Sequence, residues 1–188
     1  MQINEENFVA ELISQNEKAL EYVIDNYGWV IRSVIKKQLG NLTNYIDECT
    51  NDVILEIWNN AASFNPSKSS FKNWIAVISK FRAIDYQRKY IKDIENQTTD
   101  EALEMLIDQN ASVDTDLMTN EIRTEIDKML VNLSDTDKHL FLEAYEQEKR
   151  IKDIAYETGM KESVIYNRLS RAKKKLKQLF TTGPNERS

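Results

Sequence analysis

The sequence predicts an all-α fold: two small helical domains joined by an acidic linker, the second domain a helix-turn-helix. Three observations carry that prediction. The 188 residues include only 4 Gly and 2 Pro, and long stretches are rich in Leu, Ile, Lys, Glu and Asn. Such a composition suits helices with short connections rather than a sandwich or barrel. Apolar residues recur at three-and-four spacing on both sides of a polar segment, and charge is segregated along the chain. A hydrophobic content of 41% supplies a core and argues against wholesale disorder.

Taken in order, the helical pattern begins with Phe8, Leu12, Ile13, Leu20, Val23, Ile24 and Tyr27 and resumes at Val30, Ile31, Val34 and Ile35. Gly40-Asn41 interrupts it. Asp47 or Glu48 starts the next helix, which puts Val53, Ile54, Ile57, Trp58 and Ala61 on one face. Asn65-Pro66 with Ser67, Ser69 and Ser70 makes a loop. Trp74, Val77, Ile78, Phe81 and Ile84 mark a further helix ending near Tyr90, so residues 1–92 form the first domain. Residues 93–120 are polar, acidic and weakly periodic, and read as a linker in which Leu103, Leu106 and Ile107 leave room for a short helical piece. Periodicity returns at Ile122, Ile126, Met129 and Leu130, opening a second domain over residues 121–182. Ser134 with Asp137 three residues later has the form of a helix N-cap, the acid suiting the exposed amides and the helix dipole.

Composition excludes several function classes. A lone Cys49 rules out a disulfide framework and a multi-cysteine zinc site. The one histidine, His139, sits beside Leu140 and Phe141 and reads as structural or surface-exposed; no Gly-rich phosphate loop is present. The expectation is no enzyme, no cofactor and no metal. No apolar run approaches ~20 residues, and MQINEENFVAEL lacks a basic region leading into an apolar one. The chain is therefore expected to be soluble and cytoplasmic, with no membrane partner.

The net charge of −6 hides two basic blocks around an acidic one. From Asp93 to Asp127 eleven acids face one base, Arg123; from Lys72 to Lys92 six bases face only Asp85; from Lys161 to Phe180 seven bases face only Glu162. A single charge run reads as a solvated helix face. Two basic blocks, each on an amphipathic helix, point to phosphate contact. Within the second block, Ala155, Gly159 and Ile165 have the spacing of a helix-turn-helix, in which a small residue allows close crossing and Gly takes the left-handed turn. Ile165, Leu169, Ala172, Leu176 and Leu179 line the buried face of the second helix. Tyr166, Asn167, Ser170, Arg171 and Lys174 fall on the outer side, suited to a major groove. A helical hairpin unrelated to DNA can share the spacing but does not account for the basic outer face.

Asp153-Ile154-Ala155, Gly159 and Arg168-Leu169-Ser170-Arg171-Ala172-Lys173 resemble the promoter-reading carboxy-terminal region of the sigma-70 family. DECTNDVILEIW resembles that family's polymerase-binding helix, and FNPSKSSFKNWIAVISKFRAIDYQRK its promoter-melting helix. With two regions in order and little else, the chain resembles the extracytoplasmic-function (ECF) group. The resemblance implies a sigma factor that binds core RNA polymerase and promoter DNA, with an anti-sigma factor as a candidate further partner. It assigns core binding to Glu48, Asn51, Asp52, Leu55 and Trp58. It assigns the melted element to Phe64, Phe71, Lys72, Trp74, Lys80, Arg82 and Arg88, and the upstream duplex to Lys161, Tyr166, Asn167, Arg168, Ser170, Arg171 and Lys174. Flat rings would stack unpaired bases, at about 1–3 kcal/mol each, while cations hold phosphate; Trp74 reads equally well as a buried residue. The acidic segment resembles the family's connector through the polymerase.

Two positions depart from the family pattern. Lys161 and Val164 stand where a capping Ser and a Thr are usual, leaving Ser163 to cap if any side chain does. Phe81 replaces the Asn common seven residues after the Trp, and its spacing assigns it to the core. The alternative reading is a helix-turn-helix transcriptional regulator with a separate helical sensor domain. It explains Lys161–Phe180 but leaves the two amino-terminal matches unexplained.

Overall fold

Helical periodicity in the sequence becomes eight α-helices among the described residues: α1 (Phe8–Ile13), α2 (Glu17–Leu39), α3 (Ile46–Asn59), α4 (Phe71–Glu95), α5 (Asp116–Leu130), α6 (Asp135–Tyr145), α7 (Ile151–Thr158) and α8 (Glu162–Thr181). The structure, a computed structural model, describes residues 2–95 and 116–181, with side chains at all of these but 91–95, 116–119, 125, 129 and 177–181. The middle of the expected linker, 96–115, lies outside the described residues. Its flanks differ from expectation, because α4 stays helical to Glu95 and α5 begins at Asp116.

The opening apolar stripe is two helices. Gln15 takes a left-handed φ of 60° and Asn16 caps α2, its side chain accepting from the Lys18 amide at 3.1 Å. A chain turned there cannot continue the helix. Ile13 and Ile24, counted in the apolar stripe, end up exposed, whereas Phe8, Leu12, Val23, Val30, Ile31, Val34 and Ile35 are buried. α2 packs along α4 and also meets α1 and α3, giving the first half of the chain its core. At one end of that core an aromatic cluster joins Phe8, Tyr22, Tyr27, Phe64, Phe71 and Trp74, with ring centres 4.9–5.7 Å apart.

α4 has no single apolar face. Residues from Trp74 to Ser79 are buried without a break, so the helix must be covered on more than one side. α2 and α3 cover one part; α5 covers another, and α8 packs on the 3₁₀ turn at Ala61–Ser63. The two halves of the chain therefore share one continuous core.

The helix-turn-helix forms as its spacing predicts. Gly159 ends α7 in the left-handed conformation, at φ 69°, which a side chain would strain. Ser134 caps α6 by accepting from the Asp137 amide, and its hydroxyl donates to the Asp137 carboxylate at 2.7 Å. Lys149 ties α6 to α7 by pairing with both Glu143 and Glu157.

Candidate nucleic-acid interface

α8 stands between two environments. Ile165, Leu169, Ala172 and Leu176 are buried, while Tyr166, Asn167, Ser170, Arg171 and Lys174 are exposed on the outer side; the Leu179 side chain lies outside the described residues. Lys161 is exposed just before the helix, and its carbonyl accepts from the Val164 and Ile165 amides at 2.9 and 3.2 Å. Arg168 differs from its neighbours. Its Nη1 donates to the Asp137 carboxylate at 2.7 Å, tying α8 to the start of α6. Partial burial raises the Asp137 pKa, but hydrogen bonds from Ser134 and Arg168 outweigh it and hold the carboxyl below its ordinary value.

On α4 and just before it, the expected strand-binding residues separate into two sets. Phe64, Phe71 and Trp74 do not form an open stacking platform; all three are buried in the aromatic cluster, Trp74 at 1% exposure. A ring enclosed by other rings has no free face for a base in this arrangement, so stacking by any of the three would require the cluster to open. The cations lie nearer the surface, and Lys72, Arg82 and Arg88 have partners within the chain. Arg82 pairs with Glu56. Lys72 lies 3.8 Å from Glu121 and 5.9 Å from the Trp29 ring centre. Arg88 donates to the Ala144 carbonyl and stands 4.8 Å over the Tyr145 ring. Burial pushes the Lys80 ammonium below its ordinary pKa, against the pull of Glu148 and Glu146.

α3 carries the third group. Glu48, Asn51 and Leu55 are exposed at helical spacing, with Asp52 and Trp58 half-buried beside them. Leu55 keeps 56% of its surface in solvent, an apolar side chain between polar ones. Asp52 also has a structural role, accepting from the Tyr86 hydroxyl at 2.7 Å.

Sequence reasoning passed over Asp85, Phe141, Tyr145 and Lys173. Both Asp85 oxygens are occupied, one by the Tyr145 hydroxyl at 2.9 Å and one by the Lys173 ammonium at 2.6 Å. The available signal was Asp85 itself, the lone acid within a basic block. Among the described residues no group of three or more His, Cys, Asp or Glu could hold a metal, and no helix is long and apolar enough to cross a membrane.

An all-helical chain ending in a helix-turn-helix with a polar, cationic outer face belongs to the class of DNA-reading proteins. Comparison with known proteins narrows this. Residues 23–91 match the family model of sigma-70 region 2, and residues 123–176 that of sigma-70 region 4. The ECF RNA polymerase sigma factor RpoE of Cereibacter sphaeroides is 23% identical over 164 residues, covering 87% of each chain. The ECF RNA polymerase sigma factor SigK of Mycobacterium tuberculosis is 29% identical over 104 residues, covering 55% of this chain and 54% of the relative. The solved structure of CnrH in complex with the cytosolic domain of CnrY aligns at a TM-score of 0.35 and 15% identity, over 92% of this chain and 94% of that one. The chain belongs to the sigma-70 family.

Proposed function

We infer that this chain is an RNA polymerase sigma factor, which binds core polymerase and directs it to promoters without catalysing a reaction itself. The observation that carries the reading is the presence, in one chain and in family order, of two exposed faces of different chemistry. One is the acidic and apolar face of α3, the other the polar and cationic face of α8. Exposed Leu55, flanked by Glu48 and Asn51, suits a protein partner, since an apolar centre with a polar rim is how such interfaces are built. Trp58 would extend that contact, and Asp52 would contribute through the oxygen that Tyr86 leaves free. On α8, Arg171, Asn167, Ser170, Tyr166 and Lys174 would enter the major groove, Arg171 having the donor fork that fits a guanine edge. Lys161 lies where a phosphate contact is expected. Arg168 would act indirectly, by fixing α8 against α6.

The melted strand would meet Lys80 and, once their present partners release them, Lys72, Arg82 and Arg88 on α4. The same reading places the protein in the cytoplasm, where its polymerase works, and makes an anti-sigma factor covering the α3 or α4 face a further proposed partner. Run-off transcription with core polymerase on a library of genomic fragments tests the proposal: discrete, chain-dependent transcripts are expected. Co-purification separates it from a plain helix-turn-helix regulator, which would bind DNA but leave core polymerase behind.

A further inference from the structure

We propose that a cavity between α4 and α8 is a binding site for a small organic anion with a flat or branched apolar body. The inference goes beyond the sigma-factor reading and does not depend on it.

The two halves of the chain meet along α4, and part of that seam is well filled. Phe81 packs on Phe141 and Tyr145, its ring centre 5.1 Å from each of theirs. Beside the same ring the packing is interrupted by a cavity of about 330 Å³. Close-packed interiors rarely leave a void larger than a water molecule. Sites for small molecules, by contrast, begin near about 300 Å³ and favour the junction of two domains. Trp74, Val77, Ile78 and Phe81 line the cavity from α4, and Leu176 lines it from α8. Side chains bordering an empty space forfeit dispersion contacts, which an apolar body of matching shape would restore.

The polar lining decides which apolar body fits. Five charged residues border the cavity, and four of them cancel in pairs: Arg82 with Glu56, and Lys173 with Asp85 at 2.6 Å. Lys174 is left. It is exposed, and no acid among the described residues pairs with it. Ser170 lies one turn before it on α8, so its hydroxyl falls on the same face; it too is exposed and borders the cavity. The Ser63 hydroxyl, by contrast, is committed to the Asn60 carbonyl at 2.6 Å. One negative group on the ligand would meet Lys174 and Ser170 while the apolar body rests against Trp74 and Phe81. A cationic ligand would be repelled by Lys174. The chemistry selects aryl or branched-chain carboxylates and sulfonates. Because the walls come from both halves, an occupied site favours the arrangement in which α8 lies on α4. Ligand and any partner that separates those helices therefore oppose each other.

Fluorescence titration of the full-length chain with anilinonaphthalenesulfonate tests the site, with naphthoate and its uncharged counterpart naphthol as competitors. One saturable dye site per chain is expected, from which naphthoate displaces the dye at a lower concentration than naphthol. Lys174→Gln should weaken dye and naphthoate by roughly threefold to tenfold, the size of one partly screened charge contact, and leave naphthol unchanged. Ser170→Leu puts a branched apolar side chain into the space and should weaken all three. Both positions are exposed, so neither change removes a buried contact, and thermal melting by circular dichroism checks that the variants fold. Dye taken up by loosened structure would show no fixed stoichiometry and no response to either substitution, which would overturn the proposal. Equal loss of naphthoate and naphthol in Lys174→Gln would overturn the assignment of an anion, and no saturable binding at all would remove the site.

Discussion

Arg171 and Arg168, one helical turn apart on α8, show how little a residue type fixes its role. Arg171 is exposed, and Arg171→Ala should weaken recognition of the preferred promoter by about 1–3 kcal/mol if it reads a base edge. Filter binding of the holoenzyme to matched and mismatched sites checks this, because loss of a phosphate contact would lower both equally and flatten the salt slope. Arg168 is committed to Asp137, so Arg168→Ala should lower stability more than specificity. Asp137 also gives a pH dependence. Its folded pKa is depressed, so its contribution is complete above the ordinary carboxylate value and is lost as pH falls through the folded one. Denaturant midpoints measured from pH 5 down to pH 2 should therefore fall less steeply in Asp137→Asn than in the unaltered protein.

Among the helices, α3 and α7 are the most open to direct test. Leu55→Glu places a charge at the centre of the proposed polymerase dock without disturbing a buried contact. Pull-down of core polymerase should drop at least tenfold while the melting temperature holds; unchanged retention would mean that the dock lies elsewhere. Asp52 is a poorer probe, because changing it also removes the acceptor of the buried Tyr86 hydroxyl. At the end of α7, the space around Gly159 is open, so Gly159→Ala costs only backbone strain. About 1–2 kcal/mol is expected from urea unfolding, whereas a crowded site would cost more.

For the whole molecule the decisive feature is the seam along α4. If the halves hold each other as described, cleavage at a specific protease site introduced within 96–115 should leave two fragments that co-elute on size exclusion. Asp85→Asn with Tyr145→Phe should weaken that association and shift the cleaved fragments toward separate elution. Separate elution of the cleaved, otherwise unaltered protein would mean that Phe141 and Tyr145 are not held against α4.

Local pattern settled much of this protein by itself. Three-and-four spacing located the helices, Ser134 and Gly159 marked a start and a stop, and the alternation of Ile165, Leu169, Ala172 and Leu176 with polar residues oriented α8, because amphipathic faces and caps depend on near neighbours in sequence. The same spacing could not say which aromatic rings stay open. Phe64, Phe71 and Trp74 satisfy a stacking motif and a core equally well, and only the tertiary structure shows them packed with Phe8, Tyr22 and Tyr27. The break at Gln15 was hidden because the apolar stripe carries on across it. The seam was hidden for a deeper reason: Asp85 and Lys173 lie 88 positions apart, and no local period encodes which acid meets which base. The unbroken apolar run of α4 announced that something must cover it, but only the tertiary structure, by bringing α5, α6 and α8 back onto that helix, decided what does.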